Sequence, residues 1–509
     1  MRSKKAIYNL ITNLFLEITT LVYGFVVPRI IIGYYGSDVN GLITSITQFL
    51  AYISLFESGF GPVVRATLYK PIAKKDDVAV AGILKTAEKF FRRIAGIFVF
   101  YIVLLSIVFP FIAKNDFNTL FTVSMVIVIG ISTFAEYFFG MTYKLYLRAK
   151  QKTYIISIVQ MVTYILSIIA VVSMAVFGVN VVLIKLITGL IFTIRPIVLN
   201  IYVKKKYKID LKNVSDGYPI KQKWDGLAQH VASVIHGHTD VAVLTFFADL
   251  GEVSVYSVYY LIVKGLRSLV QVFASGMDAF FGDMITKQET DNLNKKFAAY
   301  EVLCNTISTI LFTCAIVLAT PFVSVYMSGV NDIDYIRPLF GVLIVVSEYV
   351  NSIRMPYSNL TYAAGHFKET RVGAWVECGV NVGLSVMLVW RYGLVGVAIG
   401  TIVAISIRTV EFVYHTNKYI LGRSMMESIE KISLAVVETL AIVLISHFLP
   451  FVENVGYLNL FINAVMVFIL ASAIVLVVNC LVFREESRTI VKTLSNIKRG
   501  KAKQHGAKE

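Results

Sequence analysis

The chain is a succession of long apolar runs separated by short polar connections. A helix that crosses a bilayer needs about 20 mostly apolar residues, and this length applied along the chain predicts about fourteen transmembrane segments. The pattern therefore predicts an all-α, polytopic membrane protein. The predicted segments are residues 7–32, 40–68, 92–113, 118–143, 153–177, 180–203, 225–248, 252–284, 298–322, 338–362, 371–391, 394–417, 431–450 and 457–483.

The composition supports the same class. Of the 509 residues, 57% are hydrophobic and 16% are charged, with a mean hydropathy of +0.71, whereas soluble domains carry about 25% charged residues. With 10 prolines and no low-complexity linker, no separate soluble domain is expected. The first apolar run carries Glu17 and lacks a small-residue cleavage site, so it is predicted to be an uncleaved membrane helix.

The basic residues predict the orientation of the segments. Lys and Arg concentrate in the cytoplasmic connections of membrane proteins. If the N-terminus is placed inside, the cytoplasmic connections and both termini hold 37 of the 48 basic residues, and 8 lie within segments. The opposite connections hold only Lys114, Arg337 and Arg391. Both termini are therefore predicted to be cytoplasmic.

The same distribution explains the formal net charge of +16. A pI near 9.4 is compatible with nucleic-acid binding, but this excess of positive charge follows the cytoplasmic connections. Anionic lipid headgroups are the simpler partner, and no nucleic acid is expected. The basic tail after Arg484 is interpreted as a solvated end that is attracted to lipid.

Landmarks of the first half recur about 215 residues later, which indicates a duplication. Each predicted copy has six helices and begins inside, so the copies are expected to be parallel repeats related by an axis along the membrane normal. The matched landmarks are Gly36-Ser37-Asp38-Val39 with Gly251-Glu252-Val253, Lys70 with Lys287, Gly178-Val179 with Gly393-Leu394, and Ile194-Arg195 with Ile407-Arg408.

The repeat predicts a division of the chain into two lobes and two additional helices. The divisions are an N-terminal six-helix lobe (1–203), a Lys-rich cytoplasmic linker (204–224), a C-terminal six-helix lobe (225–418), helices 13 and 14 (419–484) and a basic cytoplasmic tail (485–509).

Charged residues inside the predicted segments are candidate functional residues. Each costs about 3 kcal/mol in a membrane helix unless it faces water or a partner. The basic members are Arg29, Arg65, Lys185, Arg195, Lys264, Arg267, Arg354 and Arg408; the acidic members include Glu17, Glu57, Glu136, Asp240, Asp278, Glu348, Glu377, Glu411 and Glu438.

Segment eight carries a polar stripe at helical spacing. Lys264 and Arg267 lie near its middle, and the stripe continues with Gln271, Ser275 and Asp278, which places all five on one helical face. Polar stripes also hold helices together, but two cations one turn apart repel each other. A water-filled cavity that binds an anion is therefore the preferred interpretation, with Lys264, Arg267 and Gln271 as ligands.

The remaining candidate residues leave alternatives open. Arg29 and Arg65, and likewise Arg195, either face the cavity or snorkel to the membrane interface. Asp240 either pairs with the cations of segment eight or takes up a proton or cation that drives transport.

The full set of predicted site residues has two roles. Substrate binding is assigned to Arg29, Arg65, Lys264, Arg267, Gln271 and Arg354, and ion coupling or pairing to Glu57 and Asp240.

No catalytic or metal-binding pattern accompanies these residues. The chain lacks a Gly-rich phosphate loop followed by Lys, and its four cysteines fall inside apolar runs without metal-ligand spacing. The chain is predicted not to be an enzyme and to need no metal or cofactor. Coupling to a proton gradient, a sodium gradient or the membrane potential stays open.

Several motifs resemble one transporter superfamily. They are Val27-Pro28-Arg29-Ile30-Ile31-Ile32-Gly33-Tyr34-Tyr35-Gly36, Asn40-Gly41-Leu42, Phe56-Glu57-Ser58-Gly59-Phe60-Gly61 before Arg65, and Asp249-Leu250-Gly251-Glu252-Val253. With these motifs, the whole chain resembles the multidrug/oligosaccharidyl-lipid/polysaccharide exporter (MOP) superfamily, and within it most closely the Wzx-type polysaccharide flippases.

The resemblance implies a fold and a function. It implies two six-helix lobes, alternating access, and movement of an undecaprenyl-diphosphate-linked oligosaccharide from the cytoplasmic to the outer leaflet. The protein is then expected to act as a monomer beside a polysaccharide polymerase and other assembly proteins. It also implies that helices 13 and 14 resemble those that form a lipid groove in the related lipid II flippase.

Two other functions stay open at this point. A multidrug or cation antiporter of the same superfamily would use acidic residues such as Glu17 and Glu57, although the cations of segment eight oppose a cationic substrate. A membrane enzyme of polysaccharide assembly would need larger outer connections than this chain offers.

Overall fold

The backbone of this apolar chain is almost entirely helical. Within a bilayer every N–H and C=O group must be satisfied inside its own segment, and a helix does this locally. No β-strand occurs in the described part of the chain, so the predicted all-α class is confirmed. The structure, a computed structural model, describes residues 2–57, 59–113, 116–207, 209, 227–274, 277–452 and 456–492.

The helices follow one another with short connections. They are α1 (Arg2–Tyr35), α2 (Ser37–Ala51), α3 (Ser54–Glu57), α4 (Phe60–Lys74), α5 (Asp77–Ile112), α6 (Thr119–Ala135), α7 (Met141–Ala149), α8 (Thr153–Val176), α9 (Val181–Tyr207), α10 (Leu227–Phe247), α11 (Leu250–Ala274), α12 (Met277–Thr286), α13 (Thr290–Tyr326), α14 (Pro338–Ala363), α15 (Arg371–His415), α16 (Met426–Ser446) and α17 (Tyr457–Val482), with π-helical turns at Glu136–Gly140 and Thr416–Leu421.

Among the described residues, eleven helical stretches are long and apolar enough to cross a membrane, so the predicted count of about fourteen is not confirmed. One of the eleven, Arg371–Leu421, contains non-helical backbone at Gly393 with φ 53°. That break lies between the predicted segments 371–391 and 394–417. It needs glycine because other residues rarely adopt a positive φ.

Two further predicted segments form helices that are not among the eleven. In α10, three histidines and Asp240 lower the hydropathy. In α16, Glu430, Lys431 and Glu438 give more charge than a typical spanning helix carries.

The predicted segment 40–68 is divided in the structure, and the predicted segment 252–284 is described as two helical stretches. The first forms α2, α3 and α4, and Gly59 before α4 has a φ of 75°, which a residue with a side chain rarely adopts. The second comprises α11 and α12, and residues 275 and 276 between these helices lie outside the described part of the chain. Ser275 lies outside the described residues, as does most of the predicted linker 204–224.

By their internal contacts the residues form two compact units. Unit 1 contains Met1–Ser257 and Gly329–Ile333, and unit 2 contains Val258–Ser328 and Asp334–Glu509. The lobes predicted from the duplication stay a prediction.

In unit 1, α2 packs closely against the start of α11. A Cβ atom at Gly41 would lie 1.8 Å from the carbonyl oxygen of Leu250, so only glycine permits this approach. Beside it, Asn40 Nδ2 donates to Ser254 Oγ at 2.8 Å and to Ser257 Oγ at 3.1 Å. Small and polar residues thus join the two helices, as is common in membrane proteins.

The N-terminus of α2 is capped by a residue distant in sequence. Asp332, in the 329–333 segment of unit 1, accepts the Ser37 N–H at 2.6 Å and the Ser37 hydroxyl at 2.8 Å. The local cap residue Gly36 has no side chain to do this. A carboxylate at this position satisfies a free N–H group and interacts favourably with the helix dipole.

In unit 2, α13 packs against α12, α14, α16 and α17 and carries a fully buried carboxylate, Glu301. Arg423 Nη2 lies 2.9 Å and Lys431 Nζ 2.7 Å from Glu301 Oε2. The hydroxyls of Ser428 and Tyr357 donate to Oε1. This Glu301 cluster holds the start of α16 and the connection before it against α13.

We expect Glu301→Ala to destabilise the protein by about 3 to 5 kcal/mol, because it leaves two buried cations without their carboxylate. The measurement is the midpoint of thermal denaturation of purified protein in detergent. Glu427→Ala is the matched control, because Glu427 also pairs with Arg423 but is 52% exposed. Equal midpoints for Glu301→Ala and Glu427→Ala would contradict the stabilising role of the buried Glu301.

Candidate functional site

In unit 2, α11 presents the cationic face predicted from the sequence. Lys264 and Gln271 are exposed, and the Arg267 side chain is 36% exposed. Their spacing of three and four residues places them on one side of the helix. Lys264 has no ion pair among the residues that the structure describes. This cationic face of α11 can offer charge-assisted hydrogen bonds to an anion.

Arg267 forms an ion pair with a buried carboxylate of the neighbouring helix α14. Its Nη1 lies 3.6 Å from Glu348 Oε1 on α14, and Glu348 is almost fully buried. Glu348 Oε2 also accepts from Asn351 Nδ2 at 3.0 Å, and Asn351 Oδ1 accepts from Arg354 Nη2 at 2.7 Å. The contact with Arg267 is the longest of the three, so this guanidinium is the least constrained member.

The network continues into α15. Arg354 Nη1 donates to Glu377 Oε1 at 2.6 Å, and Arg408 Nε lies 3.6 Å from Glu377 Oε2. Arg408, 1% exposed, also contacts Glu411 and donates to the Thr370 carbonyl. Arg354, predicted as a substrate ligand, therefore lies between two helices and is only 14% exposed.

The opposite side of α11 borders an apolar cavity of about 390 Å³. Ile262 and Leu266 lie two residues on either side of Lys264, and therefore on the other face of the helix. Unit 2 thus has one helix with cations on one face and an apolar cavity on the other. Further lining residues come from α13 and α17, among them Leu311, Ala315, Leu318, Phe461 and Ala464.

The predicted ion-coupling residues lie in unit 1. Glu57 ends the short helix α3 and accepts from Tyr137 Oη at 3.3 Å. Asp240 in α10 is buried and accepts from Tyr256 Oη at 3.0 Å. Both carboxylates are thus hydrogen-bonded by tyrosines. Arg29 in α1 and Arg65 in α4 are partly buried.

Unit 1 also contains a cavity, lined by both polar and apolar residues, that the sequence did not indicate. Its volume is about 410 Å³. Its lining combines side chains from α3, the region of α6 and α7, α8 and α9, including Ser54, Ser132, Thr133, Glu136, Lys144, Gln160 and Arg195. Arg195 was one of the intramembrane cations of the sequence, but spacing alone could not separate a cavity ligand from an interface anchor.

In the described part of the chain, no three His, Cys, Asp or Glu residues are close enough to hold a metal ion. His238 instead contacts Gln48 and the ring of Tyr52.

Replacing Arg354 with Ala is expected to lower stability by about 3 kcal/mol, since Glu377 loses its shortest ion-pair contact in a buried position. The thermal midpoint in detergent measures this. Arg267→Ala is the comparison, with a smaller loss expected because its pair is longer and more exposed. A wild-type midpoint for Arg354→Ala together with lost transport would instead make Arg354 a substrate ligand.

No family model matches the sequence, and no curated protein matches it. Solved structures match its fold over most of its length. The lipid II flippase MurJ, in an inward closed conformation, superposes with a TM-score of 0.67 at 15% identity, covering 92% of this chain and 98% of that chain. All the solved structures described here are transporters or flippases.

Two multidrug transporters show the same likeness. An inward-facing MATE family transporter of the MOP superfamily gives a TM-score of 0.61 at 12% identity, with 80% of this chain and 98% of that chain covered. A eukaryotic MATE transporter gives 0.55 at 13% identity, with 85% and 98% covered. The chain is therefore a multi-pass membrane protein with the fold of MOP-superfamily transporters.

Proposed function

We propose that this protein is a flippase that moves an undecaprenyl-diphosphate-linked oligosaccharide from the cytoplasmic to the outer leaflet by alternating access. The observation that carries the proposal is the cationic face of α11, where exposed Lys264 and half-exposed Arg267 lie one turn apart in a membrane protein. A transporter keeps such costly charges where its substrate is anionic. Lys and Arg bind phosphate oxygens by charge-assisted hydrogen bonds.

The apolar cavity behind α11 supports a lipid-linked substrate. A diphosphate alone would need only the cations, whereas a lipid diphosphate also needs a surface for its hydrocarbon chain. The cavity is lined by apolar residues of α11, α13 and α17, and α17 belongs to the two helices outside the predicted duplication. MurJ, a lipid II flippase, shares this fold with a TM-score of 0.67.

The other parts of the proposal concern energy and partners. Glu57 and Asp240 are the candidate residues for coupling to a proton or sodium gradient, and the membrane potential is the alternative source of energy. We place the protein in the bacterial plasma membrane with both termini cytoplasmic, as a monomer that supplies a polysaccharide polymerase.

Replacing both Lys264 and Arg267 with Ala is expected to abolish export of surface polysaccharide, because the diphosphate loses its cations. Surface polysaccharide is measured in a deletion strain complemented with each variant, together with the amount of protein in the membrane. The control is Lys287→Ala with Lys295→Ala, which removes the same charge outside α11. Normal polysaccharide in the Lys264/Arg267 variant at normal protein levels would refute the cationic face as the substrate site.

A second candidate function is multidrug or cation antiport, which the fold of the MATE transporters favours. Its cationic substrate would bind the acidic residues of unit 1, and the positive charge of Lys264 would repel it. We expect a deletion strain to keep wild-type drug susceptibility and to lose surface polysaccharide. Increased susceptibility with normal polysaccharide would support the antiporter instead. Glycosyl transfer by the purified protein on a lipid-linked sugar would indicate an assembly enzyme.

A further inference from the structure

The two helices outside the predicted duplication contain a buried carboxyl group that the proposed function does not use. Glu438 lies near the middle of α16 (Met426–Ser446) and is 4% exposed. We propose that Glu438 is a proton-binding site, and that release of its proton loosens the packing of α16 and α17 against α13. The inference goes beyond the proposed function, because it concerns a site for a proton and not a site for the transported substrate.

In the described part of the chain, no cation compensates Glu438. The basic side chains nearest to it along the chain contact another carboxylate, since Lys431 Nζ lies 2.7 Å and Arg423 Nη2 2.9 Å from Glu301 Oε2 on α13. Beyond the end of α17, Glu486 Oε1 lies 3.9 Å from the same Lys431 Nζ and adds negative charge. Glu301 can therefore stay ionised in the interior, whereas an ionised Glu438 would have no opposite charge.

The hydrogen bonding of Glu438 is also incomplete. Its Oε1 is buried and has no partner among the described residues. The Asn479 side chain of α17 interacts with the carboxyl group, and Asn479 Nδ2 donates to Thr306 Oγ1 on α13 at 3.3 Å. Cys480, the titratable residue beside Asn479, is exposed. A protonated carboxyl group suits this position, because it carries no charge and can donate to an amide oxygen.

The outer side of α16 offers Glu438 no other partner. Val437 and Leu440 are each 59% exposed, as is usual for side chains in contact with lipid, while Glu438 and Thr439 are buried against the neighbouring helices. Hydrocarbon forms no hydrogen bonds, so the lipid cannot stabilise an ionised carboxylate.

The inner side of α16 faces hydroxyl groups that are bonded to one another. Thr309 Oγ1 on α13 lies 2.7 Å from Tyr349 Oη on α14, and Thr313 Oγ1 donates to Thr439 Oγ1 at 3.2 Å. Tyr349 is the titratable group of α14 that acts on Glu438. A metal cation that prefers oxygen takes about six oxygen ligands, whereas a proton needs one. The engaged hydroxyls therefore favour a proton as the ligand of Glu438.

Loss of the proton would leave an uncompensated charge among three helices. α16 packs against α13 and α17, and Asn479 connects the carboxyl group to Thr306 on α13. An ionised Glu438 has to reach water, which requires α16 and α17 to move away from α13. The proton thus controls a local opening of unit 2, beside the apolar cavity that α13 and α17 line.

The first measurement is infrared difference spectroscopy of the purified full-length protein in lipid vesicles, which detects the C=O stretch of a protonated carboxylic acid. An exposed glutamate is ionised at neutral pH, since its ordinary pKa is about 4.3. We expect wild type at neutral pH to show a protonated-acid signal that is lost in Glu438→Gln. Glu430→Gln is the matched control and should keep the signal, because Glu430 is an exposed carboxylate of the same helix.

The second measurement is backbone hydrogen exchange of peptides from α16 and α17 as the pH is raised. Glu438→Gln cannot ionise, so it corrects for the intrinsic pH dependence of exchange. We expect wild type to exchange as fast as Glu438→Gln at acidic pH and at least about tenfold faster at alkaline pH, because wild type alone loses its proton. Peptides from α5 in unit 1 are the internal reference and should exchange alike in both proteins.

The inference is overturned if Glu438→Gln keeps the full protonated-acid signal of wild type, or if the two proteins exchange equally at every pH. Sodium chloride added at constant pH should leave the signal unchanged, and its loss would mean that the site binds a metal cation instead. If Glu438→Gln fails to fold, Glu438→Met replaces it in both measurements as an uncharged side chain of similar size. Neither measurement depends on surface polysaccharide, so the proton site and the proposed flippase function can fail separately.

Discussion

The packing of this structure depends on the free-energy cost of placing a charge inside an apolar helix bundle. Each such charge costs about 3 kcal/mol unless it is paired or hydrated, and the two units satisfy that condition repeatedly. In unit 2, Glu301 holds Arg423 and Lys431, and Glu377 holds Arg354 and Arg408. These pairs join helices that are far apart in sequence, so charge compensation also determines which helices pack together.

The same constraint identifies the residues that are free to act on a substrate. Where pairing is complete, a charge holds helices in place; where it is incomplete, a ligand can complete it. Lys264 on α11 is such an incomplete position, and the proposed function rests on it. It lies on a helix whose other face borders an apolar cavity. The two faces together suit a substrate with an anionic group and a lipid chain.

Much of the fold could be predicted, because local properties of the sequence determine it. Apolar runs predicted the helices, and the break at residue 393, which lies between two predicted segments, follows from a glycine that adopts a positive φ. Residues 40–68 were predicted as one segment, because the apolar run is continuous there, but they form α2, α3 and α4. The Glu301 cluster was also missed, since Arg423 and Lys431 look like ordinary cations of a cytoplasmic connection.

The sequence by itself determined that this is an all-α membrane protein, and it located the charges that such a protein must compensate. Hydropathy and helical spacing are properties of neighbouring residues, so they can be read without the fold. Only the tertiary structure decided which charges are compensated, because the oppositely charged partners of Arg354 and Glu301 are 23 to 130 residues away along the chain. Arg354 was thereby placed in a buried network, whereas Lys264 stayed exposed.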